Sequence, residues 1–505
     1  KNKNAPEELA KLAKGGKWVK LKGTLEFDTY AKELAIITRD IDIIDEPASE
    51  NIMDNAKVKR VELHLHSNMS NLDGINKIED YIAQAVRWGH KAIAVTDHGN
   101  VQAFPDAQAA VKGKDIKMIY GVELNMVDTD FTSAFNVTSM PLDDLTYVSF
   151  DLGTTGLSQI DDYITEFGAV KIKNGMEIDR MDTFIKSPKP ISAKISELTN
   201  ITNADLKNAP TIREIMPQIK AFFGDHLLVA HNGRFDIGML NMACRQIGDE
   251  EIHNPWVDSL PLARHLLPLM RSYRLGAVCN YYKIPYNAEE AHRADYDADV
   301  LGQAFNAMIE DLKKRHVVNV DQLNSLPMED DYKHAFGYHL TALAKNHDGL
   351  KNMFKIVSEA NTKYFYRSDR IPRTRLEYYH DGLLYGSSCL NSRVFDVAAT
   401  RNEEELRQEI EFYDYIEIQP LIDAQYLVER GKFESLDDIK RIYKRIIKVA
   451  KEAGKIIVAT GDVHFLHKRD KVFREIFTSN EKLQIGGRPH PLLVRGNPKA
   501  LTPDC

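Results

Sequence analysis

Hydrophobic and polar positions first alternate in strand fashion over residues 17–44, with Trp18, Leu21 and Leu25 in one run and Leu34 to Ile44 in the next. That two-residue period is the signature of pleated strands. A helix-like lead, Glu7 to Lys14, precedes them, and a polar stretch, Asp45 to Lys57, reads as a linker. From Arg60 the pattern changes to alternating strand and helix. It predicts strands over Val61–His66, Ala92–Thr96 and Lys117–Tyr120, with a helix over Ile78–Trp88. The same style returns late, with strands over Gly382–Gly386, Tyr415–Gln419 and Lys455–Thr460 and a helix over Leu436–Ala453. This is β/α architecture.

A different segment lies between. Tyr147–Leu152 reads as a strand followed by a tight turn, and Ile164–Lys173 with Glu177–Lys186 as a β meander. Helices then alternate with one strand, Leu227–Ala230, and a long helix is predicted from about Arg293 to Lys313. A mixed α/β unit is thus inserted into a β/α domain.

Two sets of polar residues stand out against this pattern. His64 and His66 are two apart on a predicted strand and share one face, while Val61, Leu63 and Leu65 take the other. A lone strand histidine is usually just a satisfied polar group; two on one face, with Asp73 soon after, suit a metal site. Later strands lead into His98, Glu123, Cys389, and Asp462 with His464. Each ligand type is expected just past a strand's C-terminal end, where β/α barrels gather catalytic groups. The second set follows the inserted unit: Asp151 on its first strand, Asp236 after its second, and His292 with Asp297 opening the long helix.

The motifs HLHSNMSNLD (64–73), VTDHG (95–99), GVE (121–123), GSSC (386–389) and ATGDVHF (459–465) resemble the polymerase-and-histidinol-phosphatase (PHP) domain. The resemblance adds His339, in Tyr338-His339-Leu340-Thr341, and implies nine ligands: His64, His66, Asp73, His98, Glu123, His339, Cys389, Asp462 and His464. It implies a cluster of up to three divalent ions, Zn2+, Mn2+ or Fe2+, a choice the mixed nitrogen, oxygen and thiolate set leaves open. Such a cluster suits phosphoester hydrolysis, or it serves only to support the fold.

The inserted unit resembles the DEDDh 3′–5′ exonucleases, of ribonuclease-H-like fold, through Asp151 with Gly153-Thr154-Thr155-Gly156, through Asn232-Gly233-Arg234-Phe235-Asp236, and through His292-Arg293-Ala294-Asp295-Tyr296-Asp297. The implied catalytic set is Asp151, Asp236 and Asp297 as ligands of Mg2+ or Mn2+, with His292 as the general base, the role histidine most often takes. The family has glutamate where this chain has Gly153. Glycine offers no ligand, so impaired nuclease activity is expected.

Composition narrows the rest. The 505 residues are 43% hydrophobic and 28% charged, ordinary for globular protein. With 74 acidic against 66 basic residues the net charge is −8, which argues against a simple nucleic-acid-coating protein. Four cysteines without a Cys-x-x-Cys pair make no disulfide framework and point to a reducing cytoplasm. No apolar run of about 18 residues predicts a membrane span.

A PHP domain interrupted by such an exonuclease is the arrangement of PolC-type bacterial DNA polymerase III alpha subunits, which the chain resembles over nearly all its length. The expected layout is a partial oligonucleotide/oligosaccharide-binding (OB) type domain and linker over 1–56, a PHP domain over 57–145 and 315–505, and the exonuclease over 146–314. The fold class expected is α/β: a distorted, TIM-like PHP barrel interrupted by a ribonuclease-H-like domain. The resemblance implies single-stranded and primer-template DNA as partners, with other replisome subunits such as the sliding clamp. No palm motif is found, so these residues alone are not expected to extend a primer. A stand-alone PHP phosphoesterase is the alternative, and it predicts an uninterrupted barrel; a scaffold with both sites dead is a third reading.

Overall fold

The computed structural model describes residues 18–28, 33–44, 52–129, 131–326 and 330–479. The predicted lead Glu7–Lys14 lies outside them. The chain divides into two units, at Lys59/Arg60. In the first, β1 (Trp18–Asp28) and β2 (Glu33–Ile44) form an antiparallel ribbon from Trp18↔Ile44 to Asp28↔Glu33. Its alternation matches the predicted strands.

The second unit holds two sheets. Helix α1 (Ile78–Trp88) ends where Gly89 turns left-handed at φ 76°, a conformation glycine adopts without Cβ strain. Strand β3 (Ala92–Val95) pairs in parallel with β4 (Lys117–Val127). The chain then leaves for the inserted sheet, made by β5 (Ala134–Phe135), β6 (Thr146–Thr154), β7 (Ile164–Lys173), β8 (Met176–Phe184), β9 (Leu227–Ala230) and β10 (Trp256–Asp258). The strand order is β5-β10-β9-β6-β7-β8, with β6–β7–β8 antiparallel and β9 and β10 parallel to β6 and to each other. Helices α2 (Gly233–Ile247) and α3 (Ala294–Lys314) flank this sheet.

The chain returns through β11 (Gly337–Ala344), β12 (Ile371–Pro372), β13 (Leu383–Gly386), β14 (Tyr415–Ile418), α4 (Leu436–Glu452), β15 (Ile456–Ala459) and α5 (Lys471–Thr478). Its sheet runs β12-β4-β11-β13-β14-β15, with β3 beside β4. Isolated bridges Glu62–Ile93 and Leu65–Val463 tie residues 62–65 to both ends, so the sheet curls. The expected strand Val61–His66 is therefore only two single bridges. Another difference concerns β4, which runs on to Val127 and keeps Glu123 inside the strand.

Side-chain alternation on β6 sets up the inserted site. Val148, Phe150 and Leu152 enter one core cluster with Phe167 and Phe223, while Tyr147 enters another with Phe305 and Leu301 of α3. Ser149, Asp151 and Gly153 share the Tyr147 face. On that face the Tyr147 hydroxyl donates to the Gly302 carbonyl at 2.9 Å and the Ser149 hydroxyl to the Ala298 carbonyl at 2.8 Å. Gly168, opposite Asp151 on β7, allows this approach: a Cβ there would meet Ala294 C and Asp295 N at 2.2 Å. Such contact is sterically forbidden, so α3 can bring Asp297 close only over a glycine.

Candidate metal centres

At the curled sheet all nine predicted ligands come together. Donor atoms of His66, His98 and His464, of His64, His66, Glu123 and Asp462, and of Glu123, His339 and Cys389 form groups each within 4.8 Å. Asp73 joins them through Oδ2, 3.2 Å from His98 Nε2 and 3.3 Å from His464 Nε2. His339, whose local pattern is weak, lies on β11 and faces both Glu123 and Cys389 Sγ, the latter at 3.3 Å.

The surroundings hold these groups in register. Asp97, not singled out from the sequence, accepts from Ser67 N, Ser67 Oγ and Ser70 Oγ, each at 2.7 Å. It thereby fixes the turn after His66, whose Nδ1 lies 3.0 Å from Ser70 Oγ. Glu417 was also missed. Its Oε2 lies 2.8 Å from His64 Nδ1 and accepts from Thr460 Oγ1 at 3.0 Å. A carboxylate on Nδ1 fixes the tautomer and leaves Nε2 for a cation. The signal was a charged residue in an otherwise apolar strand, Tyr415-Ile416-Glu417-Ile418. Arg474 of α5 donates to Asp73 Oδ1 from Nε at 2.9 Å and from Nη2 at 2.7 Å.

The electrostatics fit a cation. Burial disfavours charge on His64 and His98, yet the carboxylates around them outweigh it and raise both imidazoles well above the usual histidine range. Burial and the Glu123 and Asp462 charges push the Cys389 thiol up. His464 goes the other way, lowered to about 4 by burial and by Arg474. Buried His66 Nε2, Glu123 Oε1 and Asp462 Oδ1 have no aligned hydrogen-bond partner. Divalent ions would meet those orphaned atoms and replace the protons the imidazoles and thiol hold. The cluster opens on a cavity of about 1690 Å³ whose walls include residues 155–158 and 160–162 of the inserted unit.

At the inserted sheet Asp151 sits on β6, Asp236 in the first turn of α2 and Asp297 in the first turn of α3. Burial raises Asp151 well above the carboxylate range, reinforced by the charges of Asp236, Asp297 and Glu166. Burial likewise raises Asp236, with Asp258 adding to it, and raises Asp297 to about 6. The donor atoms of these three acids are not among the groups within 4.8 Å, whereas those of Glu166, Asp182 and Asp295 are. His292 is exposed, with φ 70°, and its backbone N–H donates to Asp297 Oδ2 at 3.0 Å.

Position 153 departs from the expectation of a strand that ends at Leu152. Gly153 lies within β6, opposite Glu166, with a register shift between it and Thr154.

A raised carboxyl makes the folded state bind protons that the unfolded chain releases. For Asp297 that stability is present below about pH 4 and is lost as pH rises through about 6. In chelator, Asp297→Asn should melt with wild type near pH 3.5 and be more stable at pH 8, by on the order of 2 kcal/mol. A difference in melting temperature that stays flat with pH would contradict this.

The exonuclease family model matches residues 148–305. Among solved structures, Exonuclease X in complex with 5′ overhanging duplex DNA is 24% identical and covers 36% of this chain and 98% of its own, at a TM-score of 0.28. DNA polymerase III PolC-type of Halalkalibacterium halodurans is 40% identical over 475 residues, 94% of this chain and 33% of the relative. The PolC-type polymerase III of Bacillus subtilis (strain 168) matches to the same extent. Over 94% of its length the chain matches PolC-type DNA polymerase III at 40% identity, and it spans about a third of the length of these relatives.

Proposed function

We propose that this chain carries the 3′–5′ proofreading exonuclease and the metal-binding PHP domain of a PolC-type replicative polymerase. The exonuclease match over residues 148–305, laid on a unit in which half-buried Asp151 of β6 accompanies buried Asp236 of α2 and Asp297 of α3, is the observation that supports it most. The substrate is the 3′ end of single-stranded or frayed primer-template DNA. Asp151, Asp236 and Asp297 would hold Mg2+ or Mn2+, which when bound would supply an activated water and charge neutralisation at the scissile phosphate. His292, exposed beside Asp297, takes the proton of the attacking water. On this reading the curled sheet is a PHP barrel whose nine ligands hold Zn2+, Mn2+ or Fe2+, residues 18–44 end an OB-type domain, and the clamp and other replisome subunits are partners of the whole protein. No helix of the described residues is long and apolar enough to cross a membrane.

The test is trimming of a 5′-labelled single strand with Mg2+ present. Shortening from the 3′ end should be slow but measurable, and Asp297→Ala should reduce it by at least about 10²-fold. Cleavage unaffected by Asp297→Ala would place the activity elsewhere.

A further inference from the structure

We propose that Glu166 is the fourth carboxylate of the exonuclease centre, standing in from β7 for the side chain that Gly153 lacks; this rests on the nuclease reading above. The two residues are direct partners across the β6–β7 pair, and cross-strand partners project to the same face. A Cβ added at 153 would lie 2.9 Å from the Glu166 Cβ. A glutamate therefore springs from nearly the same point at either position and can sweep the same volume. Glu166 is 0% exposed, on the face that α3 covers. It lies two residues from Gly168, the cross-strand partner of Asp151, and its Oε2 accepts from Ala294 N in the turn that carries Asp297.

Its existing bonds leave room for the role. Arg293 donates to Oε1 from Nε at 2.9 Å and from Nη2 at 2.8 Å, and the Ala294 N–H donates to Oε2 at 3.0 Å. A carboxylate oxygen has two lone pairs. Oε1 is filled by its two donors, while Oε2 keeps one acceptor site. The same bonds make a competing role possible, in which Glu166 only clamps the first turn of α3 and so positions His292 and Asp297. A third occupant is a cation between Glu166, Asp182 and Asp295, away from Asp151.

The experiment compares the full chain, Glu166→Gln, Gly153→Glu and the double variant. Each is titrated with Mn2+ by electron paramagnetic resonance, counting only Mn2+ that Asp151→Asn abolishes, and assayed for 3′ trimming. In the natural background Glu166→Gln should weaken that Mn2+ and slow trimming by at least about tenfold. With glutamate at 153 the same change should cost less than about threefold, because the ligand is restored. Equal losses in both backgrounds would assign Glu166 to the clamp and overturn the proposal, as would unchanged Mn2+ binding. Loss of the same Mn2+ in Asp182→Asn would overturn it in favour of the third site. Should Glu166→Gln fail to fold, Arg293→Met breaks the clamp and keeps the carboxylate. Retained Mn2+ supports the proposal, and its loss overturns it. If Asp151→Asn removes no Mn2+ from any variant, the nuclease reading itself falls, and the proposal with it.

Discussion

Gly153→Glu should speed 3′ trimming by up to about 10²-fold, the scale on which one preorganised transition-state group acts, because Glu166 replaces the absent side chain only in part. The carboxylate would enter on the face that carries Asp151, because residues two apart on a strand share a face. Its route in is not free. The new Cβ would stand 2.9 Å from Glu166 Cβ and 3.2 Å from Thr165 Oγ1, so the β6–β7 pair must give by a few tenths of an ångström. The register shift between Gly153 and Thr154 helps, since a bulge lets one strand re-aim a side chain without dragging the whole ladder. A second acid opposite Glu166 adds like-charge repulsion across the pair, which bound metal and Arg293 offset. Asp297→Ala should abolish the gain. A Gly153→Glu variant folded like wild type and no faster would show that position 153 does not limit this centre.

What could be read from the sequence followed from periodicity and from motif spacing, two independent signals. Ile78–Trp88, Ile164–Lys173 and Leu227–Ala230 are bounded as predicted because each is long or apolar enough to declare its period. β5 and β10, of two and three residues, are too short to show one. Glu123 and Gly153 were placed beyond strand ends because glycine reads as punctuation. Both strands instead continue, with Gly121 packed against Leu343 and Thr96 and Gly153 against Glu166. The nine PHP-type positions were legible as residue types, and the structure gathers all nine. Their supports were not: Asp97, Glu417 and Arg474 act across roughly 30 to 400 residues of chain, and nothing local marks a side chain whose partner lies so far away. Glu166 was hidden the same way, as one charge in an alternating strand, and only pairing with β6 reveals what it faces.

Metal removal from the PHP-type cluster should lower the melting temperature by roughly 8–16 °C, and His64→Ala, His66→Ala should not respond to chelator at all. The cluster packs three carboxylates, Glu123, Asp462 and Glu417, against His64 and its neighbours. Without a cation this arrangement keeps its balance through imidazolium–carboxylate pairs, which is why His64 and His98 are raised and Asp462 is lowered. Metal binds the folded state alone, since the ligands span residues 64 to 464 and are dispersed in the unfolded chain. At a thousandfold excess over its dissociation constant that linkage contributes about 4 kcal/mol, and each kcal/mol moves a midpoint by roughly 2–4 °C in a domain of 150–250 residues. The pH dependence has a definite sign. Each ion must displace protons from imidazoles raised above the usual histidine range, so the chelator-sensitive part of the stability should grow as pH rises from 6 to 8 and shrink as it falls. Glu417→Gln, which keeps the shape but not the charge beside His64 Nδ1, should weaken metal binding by about 10–100-fold. Scanning calorimetry with and without chelator, alongside elemental analysis, measures all three. A wild-type chain that melts identically with and without chelator, or a double variant that still loses stability in it, would show that these nine residues do not hold the metal on which the fold depends.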